Sequence, residues 1–183
     1  YFCVLCSLLG EPPLTMLLSA QATQLNGDEA AAKRYFNSML KRSETAFLGL
    51  RGLLMQAERD GDTAAALAYA DRAKILQPKT LWVLTKMFEL QIQQGQWQSA
   101  LLTLNQAIKT NEAKIAYGKD LRPTVLLGCS IEAGHSGDRA AALSFAEKAH
   151  KEQPQNLSAI VRRAELMNEE GTTRGLQKLI KGA

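Results

Sequence analysis

Apolar residues recur along most of the chain in helical stretches, and glycines end these stretches at a nearly regular interval. The glycines are Gly27, Gly61, Gly95, Gly137 and Gly171, so the successive gaps are 34, 34, 42 and 34 residues. A fixed interval of roughly 20–50 residues is typical of stacked repeats. No alternating strand pattern extends beyond a few residues, so the chain is predicted to be all-α.

Alignment on these glycines produces further columns of related residues. Small residues recur five positions after the glycine, where helices approach closely, and apolar residues recur eleven positions before it. Glycine suits a helix that ends in a left-handed turn, and a following Asp suits the N-cap of the next helix. The columns contain Ala32, Ala66, Ala100, Ala142 and Leu176, then Met16, Leu50, Leu84, Leu126 and Ile160, with Asp28, Asp62 and Asp138 as caps.

These columns and the period of 34 resemble the tetratricopeptide repeat across nearly the whole chain. The resemblance predicts a right-handed α-solenoid of stacked helix hairpins. The alternative is an irregular helical bundle with chance spacing, which four correlated columns disfavour. Helix pairs are predicted near 13–25 and 28–41, 44–59 and 62–76, 79–94 and 97–110, 121–135 and 138–152, and 156–169 and 172–181.

Residues 1–183 are predicted to form a single repeat domain, because each unit buries its face only against its neighbours. Residues 1–9 are interpreted as a truncated helix of a preceding unit, and their apolar character predicts self-association through this end. The eight extra residues of the long gap are expected between Asn111 and Asp120, as a loop or an extra helical turn. The predicted units lie near 13–43, 44–78, 79–120, 121–154 and 155–183.

Two runs resemble a particular family, the HemY-type tetratricopeptide proteins. They are residues 47–54, Phe-Leu-Gly-Leu-Arg-Gly-Leu-Leu, and residues 77–85, Gln-Pro-Lys-Thr-Leu-Trp-Val-Leu-Thr, with residues 10–15 adding to the likeness. The resemblance implies a bacterial protein of late haem biosynthesis, with two N-terminal helices that anchor it in the inner membrane. It also implies that this chain is the soluble repeat part on the cytoplasmic side, a non-enzymatic scaffold without an anchor of its own.

The repeat register predicts an inner groove, because the first helix of each tetratricopeptide hairpin lines the concave face. Its cations, amides and apolar side chains suit an extended peptide or partner helix that carries an acidic group. A salt bridge is the alternative role for Arg51, packing between units is the alternative for Trp82, and a core position is favoured for Met55. The inner groove is defined by Arg51, Met55, Arg59, Trp82, Lys86, Glu89, Gln93, Leu127 and Ile131, with Gln21 and Gln24 contributing from the first unit.

Charge and candidate chemistry exclude several other functions. The net charge of +4 comes from basic residues that are spread along the chain, which argues against a nucleic-acid stripe. Cys3 and Cys6 lack the second ligand pair of a zinc site and are interpreted as buried apolar residues. His135 and His150 each lie in a last helical turn, which favours a capping role. No catalytic, cofactor or metal site is predicted, and a tetrapyrrole-binding accessory protein is kept as the alternative function.

Overall fold

The computed structural model describes residues 13–110 and 116–169, and within these residues every regular element is an α-helix. The chain divides into two compact units, residues 1–83 and residues 84–183. The truncated helix and the self-association predicted for residues 1–9 lie outside the described residues, as does the helix near 172–181. The helices are α1 (Pro13–Leu25), α2 (Glu29–Met39), α3 (Ser43–Arg59), α4 (Thr63–Leu76), α5 (Leu81–Gln93), α6 (Trp97–Thr110), α7 (Ala116–His135), α8 (Arg139–Glu152) and α9 (Leu157–Glu169).

Left-handed glycines join the two helices of the four hairpins that the structure describes in full, as the sequence predicts. Gly27, Gly61, Gly95 and Gly137 have φ angles of 78°, 73°, 70° and 81°. A side chain is strained in this region of the φ/ψ map, so a tight turn between packed helices selects glycine. The period of the glycines therefore reflects a backbone requirement that recurs once in each hairpin.

The second helix of most hairpins begins with an Asp cap. The carboxylates of Asp28, Asp62 and Asp138 accept from the backbone N–H three residues later, at 2.8, 2.9 and 2.9 Å. Such a cap satisfies one of the backbone donors that the first turn of a helix leaves without a partner. The caps predicted from the Gly-Asp pairs are confirmed.

The third hairpin has a different cap, because Gln96 replaces the Asp after Gly95. The carboxylate of Glu132, on α7, accepts from the backbone N–H of Gln98 at 2.9 Å. Gln98 lies in the first turn of α6, so the following hairpin supplies the carboxylate that α6 lacks in its own turn. This contact lies within the second unit.

Alanines five positions after the glycines allow the helices to approach closely. Ala32, Ala66, Ala100 and Ala142 are fully buried. In the first unit α1 packs on α2 and α3, α2 packs on α3, and α3 packs on α4. In the second unit α6 packs on α7, α7 packs on α8 and α9, and α8 packs on α9.

Two further glycines make room for aromatic rings. A Cβ on Gly52 would lie 2.2 Å from the ring of Phe36, and a Cβ on Gly128 would lie 2.2 Å from the ring of Trp97. Real atoms do not approach so closely, so each glycine is required where α3 crosses Phe36 and where α7 crosses Trp97. The apolar cluster of the first unit is formed by Met16, Ala20, Ala32, Phe36, Met39 and Leu53.

The start of α7 differs from the sequence prediction. The sequence favours a start near residue 121, with Asp120 as the N-cap and Pro123 in the first turn, where proline is tolerated. The helix instead begins at Ala116, so both residues lie inside it. The ring of Pro123 removes one backbone donor, but residues 116–120 continue the helix before it. The part of the long gap that the structure describes is therefore an extra helical turn, which was one of the two alternatives.

Candidate functional site

The first unit contains a cavity of about 290 Å³ between α1 and α3, with Phe36 of α2 also in its wall. Amide and guanidinium groups share its lining with apolar side chains, and no carboxylate is among the described residues that line it. The cavity includes five residues that the repeat register places on the inner face, which are Gln21, Gln24, Arg51, Met55 and Arg59. The remaining lining residues of this first-unit cavity are Leu17, Phe36, Leu48 and Gly52.

Arg51 is held over an aromatic ring and not in the salt bridge that was its alternative role. Its guanidinium carbon lies 5.0 Å from the ring centroid of Trp82, within the range of a cation–π interaction. The ring of Trp82 in turn meets Phe47 edge to face, with centroids 6.3 Å apart. Among the described residues, the structure gives Arg51 no carboxylate partner, and its side chain is exposed.

Trp82 packs between two hairpins, which was one of the two roles considered for it, and its binding role stays a prediction. Its ring packs against Phe47 and Arg51, which belong to the preceding hairpin, and it stays half-buried. The stacked ring restricts the guanidinium of Arg51 while its donors remain accessible. A donor whose orientation is already restricted loses less conformational entropy when it binds a ligand.

Arg59 is neutralised within the first unit. Its Nη2 lies 3.3 Å from Oε2 of Glu29, and both side chains are 44 % exposed. An exposed pair of this kind contributes little to stability, about 0–1 kcal/mol, and exchanges its partner easily. Arg59 therefore remains a donor that a competing carboxylate can recruit.

Gln24 and Met55 complete the polar and apolar sides of the cavity. The Nε2 of Gln24 is buried and has no hydrogen-bond partner in the described part of the chain, which is a costly state for an amide donor. Met55 is 44 % exposed, so the core position favoured for it is wrong. It lies on the exposed side of α3, while Leu53 and Leu54 take the buried positions of that helix.

The other residues of the predicted inner groove belong to the second unit. Lys86 lies 3.0 Å from Glu89 in an ion pair one turn apart on α5. Gln93 is exposed, Leu127 is half-buried and Ile131 is 46 % exposed. All of these residues lie on first helices of hairpins, but a single groove that also includes Arg51 and Arg59 stays a prediction.

A second cavity, of about 500 Å³, lies within the second unit and was not predicted from the sequence. Arg122 lines this cavity. Its Nε donates to the Asn105 side chain at 2.9 Å, and its Nη1 forms an ion pair with Glu152. The guanidinium therefore ties α6 and α8 to α7. The signal in the sequence was the gap of 42 residues, because the extra turn that fills part of it ends at Asp120 in the cavity wall.

The described residues that were considered for metal chemistry do not form a cluster. Within residues 13–110 and 116–169, no three His, Cys, Asp or Glu side chains are grouped so that they could hold a metal ion. Burial raises the pKa of the Cys129 thiol to about 11 from its ordinary value of 9.0, with the charge of Glu132 adding to the effect. His135 is exposed and His150 is half-buried, while Cys3 and Cys6 lie outside the described residues.

Solved structures place the fold among the tetratricopeptide repeat proteins. A tetratricopeptide repeat protein from Parabacteroides merdae is 15% identical, with a TM-score of 0.54, and the match covers 92% of this chain and 77% of that one. A structure of MamA is 15% identical with a TM-score of 0.52 over 93% and 88% of the two chains, and MamA of AMB-1 is 14% identical with a TM-score of 0.53 over 93% and 88%. Comparisons with protein-family models and with curated protein sequences give no match.

The chain therefore has the fold of a tetratricopeptide-like α-solenoid. At these identities the likeness defines the fold alone. None of the described helices is long and apolar enough to cross a membrane.

Proposed function

We propose that this chain is the repeat part of a HemY-type protein, a non-enzymatic scaffold that binds a protein partner in haem biosynthesis at the cytoplasmic face of the bacterial inner membrane. The observation that carries the proposal is the contact between Arg51 and Trp82. Each belongs to one of the two runs that resemble the HemY-type proteins, residues 47–54 and 77–85. The family-like residues thus converge on one place beside the first-unit cavity.

The chemistry of this cavity favours an extended peptide with an acidic side chain. Arg51 presents its guanidinium without a carboxylate partner among the described residues, and the buried Nε2 of Gln24 offers a further donor. A carboxylate can accept from both, and Arg binds carboxylates through two parallel hydrogen bonds. Leu48 and Met55 provide apolar area for the neighbouring side chains of the peptide.

Site-specific photo-crosslinking in the native cell tests this function with the full-length protein. A photoreactive residue at Met55, which is exposed and lines the cavity, should capture a partner protein. The capture should fall when Arg51→Ala is added, since a hydrogen bond to a charged group contributes roughly 1.5–3 kcal/mol and its loss weakens binding about tenfold or more. Arg72→Ala is the matched control, because Arg72 is an exposed arginine of the same unit that does not line the cavity.

The identity of the captured protein tests the scaffold function and the assignment to haem synthesis separately. An enzyme of haem synthesis among the captured proteins supports the whole proposal. An Arg51-dependent partner from another pathway keeps the scaffold and removes the haem assignment. Equal capture in the Arg51→Ala and Arg72→Ala variants removes the first-unit cavity as the binding site.

Titration with hemin separates the scaffold from the tetrapyrrole-binding alternative. Among the residues that the structure describes, no histidine lines either cavity. If the protein is a scaffold that binds no tetrapyrrole, added hemin should not develop the Soret band of a protein-ligated haem. A Soret shift that disappears in the His135→Ala or His150→Ala variant would favour the alternative.

A further inference from the structure

One exposed row of side chains on α3 lines the first-unit cavity. Arg51, Met55 and Arg59 follow one another at intervals of four residues, and all three are exposed and belong to the cavity lining. Because an α-helix rises 1.5 Å per residue, successive members of this α3 row stand about 6 Å apart along the helix axis. The row therefore presents a cation, an apolar side chain and a second cation over about 12 Å.

This spacing matches the spacing of side chains along an extended peptide. Every second side chain of a β-strand points to the same face, so such side chains stand about 6.4–6.8 Å apart. Over three side chains the mismatch with the α3 row is about 1–2 Å, which is short relative to the length of an arginine side chain. A helix with its side chains is about 10–12 Å wide, and α1 packs on α3, so a partner helix would lie over the cavity without entering it.

Two glutamines of α1 belong to the other wall of the cavity. Gln21 is exposed, and the Nε2 of Gln24 has no hydrogen-bond partner in the described part of the chain. A primary amide both donates and accepts, so it can bind the N–H and C=O groups of a peptide backbone whatever the peptide's sequence. Selection among peptides is therefore assigned to the α3 row.

The two cations of the α3 row are held differently. The guanidinium of Arg51 stacks on the ring of Trp82, whereas Arg59 forms an ion pair with Glu29 at 3.3 Å, in which both side chains are 44% exposed. An exposed pair of this kind contributes little to stability, so a carboxylate of a ligand can displace Glu29 from Arg59 at a small cost. Glu29 thus lowers the affinity for a second acidic group without preventing its binding.

We propose that the first-unit cavity binds an extended segment of a partner protein with the pattern acidic, any, apolar, any, acidic. The two acidic side chains bind Arg51 and Arg59, and the apolar side chain between them packs on Met55. No carboxylate among the described lining residues opposes the two acids. This inference rests on the proposed function and adds which partner sequence the cavity selects.

Fluorescence anisotropy with two labelled peptides of equal composition tests the spacing. The spaced peptide is Ser-Glu-Ser-Leu-Ser-Glu-Ser, and the control peptide Ser-Ser-Glu-Glu-Leu-Ser-Ser has adjacent acids. The spaced peptide should bind the full chain about tenfold more tightly, because only its acids can reach both arginines at once. This preference should disappear in the Arg59→Ala variant and persist in Arg72→Ala, the matched exposed arginine that does not line the cavity.

The Glu29→Gln variant gives a second measurement. It releases Arg59, so the spaced peptide should bind up to about fivefold more tightly, while the affinity of the control peptide stays unchanged. Equal affinity of the two peptides, no binding of either, or a preference that survives Arg59→Ala would overturn the proposed spacing. If equal binding of both peptides is lost in Arg51→Ala, the cavity remains a site for acidic peptides and only the spacing is wrong. If their binding does not depend on Arg51, the proposed function loses its site as well.

Discussion

The cap that Glu132 provides to α6 is a contact between hairpins, and its contribution to stability can be measured. Glu132→Ala removes the carboxylate that accepts from the N–H of Gln98 at 2.9 Å, while alanine keeps the helix propensity of α7 high. Loss of a capping side chain costs about 0.5–2 kcal/mol, typically about 1 kcal/mol. We expect a loss of about 1 kcal/mol in urea unfolding followed by circular dichroism, or about 2–4 °C in Tm for a chain of this size.

Restoration of the missing Asp tests the reason for this effect. Gln96→Asp gives the third hairpin the residue that caps the second helix in the first, second and fourth hairpins. We expect it to recover about 1 kcal/mol in the Glu132→Ala background. In the unsubstituted chain it should add little, because two carboxylates at one helix end repel each other.

Asp71→Ala controls for the loss of a negative charge, since Asp71 is an exposed acidic residue of α4 and surface substitutions usually stay within about 0.5 kcal/mol. If Gln96→Asp stabilised the protein equally with and without Glu132, the two carboxylates would not serve the same helix end. The inter-hairpin cap would then be refuted.

Three further results are expected. Gly52→Ala should cost about 1–3 kcal/mol in the free energy of unfolding, because the added Cβ would meet the buried ring of Phe36; an unchanged urea midpoint would contradict this contact. Gly61→Ala should lower the free energy of unfolding by about 1–2 kcal/mol, because residue 61 has φ of 73°. Ala64→Gly in the next helix is the comparison for ordinary helix propensity and should cost about 1 kcal/mol. The Cys129 thiol should resist alkylation in the folded protein. Its pKa is raised from 9.0 to about 11, so the thiol of the unfolded chain ionises at a lower pH than that of the folded protein. The free energy of unfolding should therefore fall between pH 9 and about 11, and it should fall less in the Cys129→Ala variant.

The periodicity of the sequence was sufficient to predict the hairpins, because the residues that end and cap the helices act locally. Gly61 requires a left-handed turn and Asp62 caps the next helix, and both effects involve only a few neighbouring residues. The extension of α7 to Ala116 was missed because Pro123 is a strong local signal for a helix start. The structure shows that the turn before the proline remains helical.

The details of the candidate site depended on contacts that a single sequence does not reveal. The register placed Arg51 and Met55 on one face of α3, but it could not show that Arg51 stacks on Trp82 instead of pairing with an acid. Met55 was expected in the core because its side chain is apolar, yet its position on the helix decides its exposure. The contact between Glu132 and α6 joins residues 34 positions apart and has no local sequence signal.

The chain has two tryptophans, and the division of the fold assigns one to each unit. Trp82 lies beside the guanidinium of Arg51, whereas Trp97 packs against the backbone of Gly128. A Trp97→Phe variant would therefore emit from the neighbourhood of the first-unit cavity, and a Trp82→Phe variant would emit from the second unit. Intrinsic fluorescence thus offers two separate optical reporters, one for the occupancy of the cavity and one for the integrity of the remaining repeats.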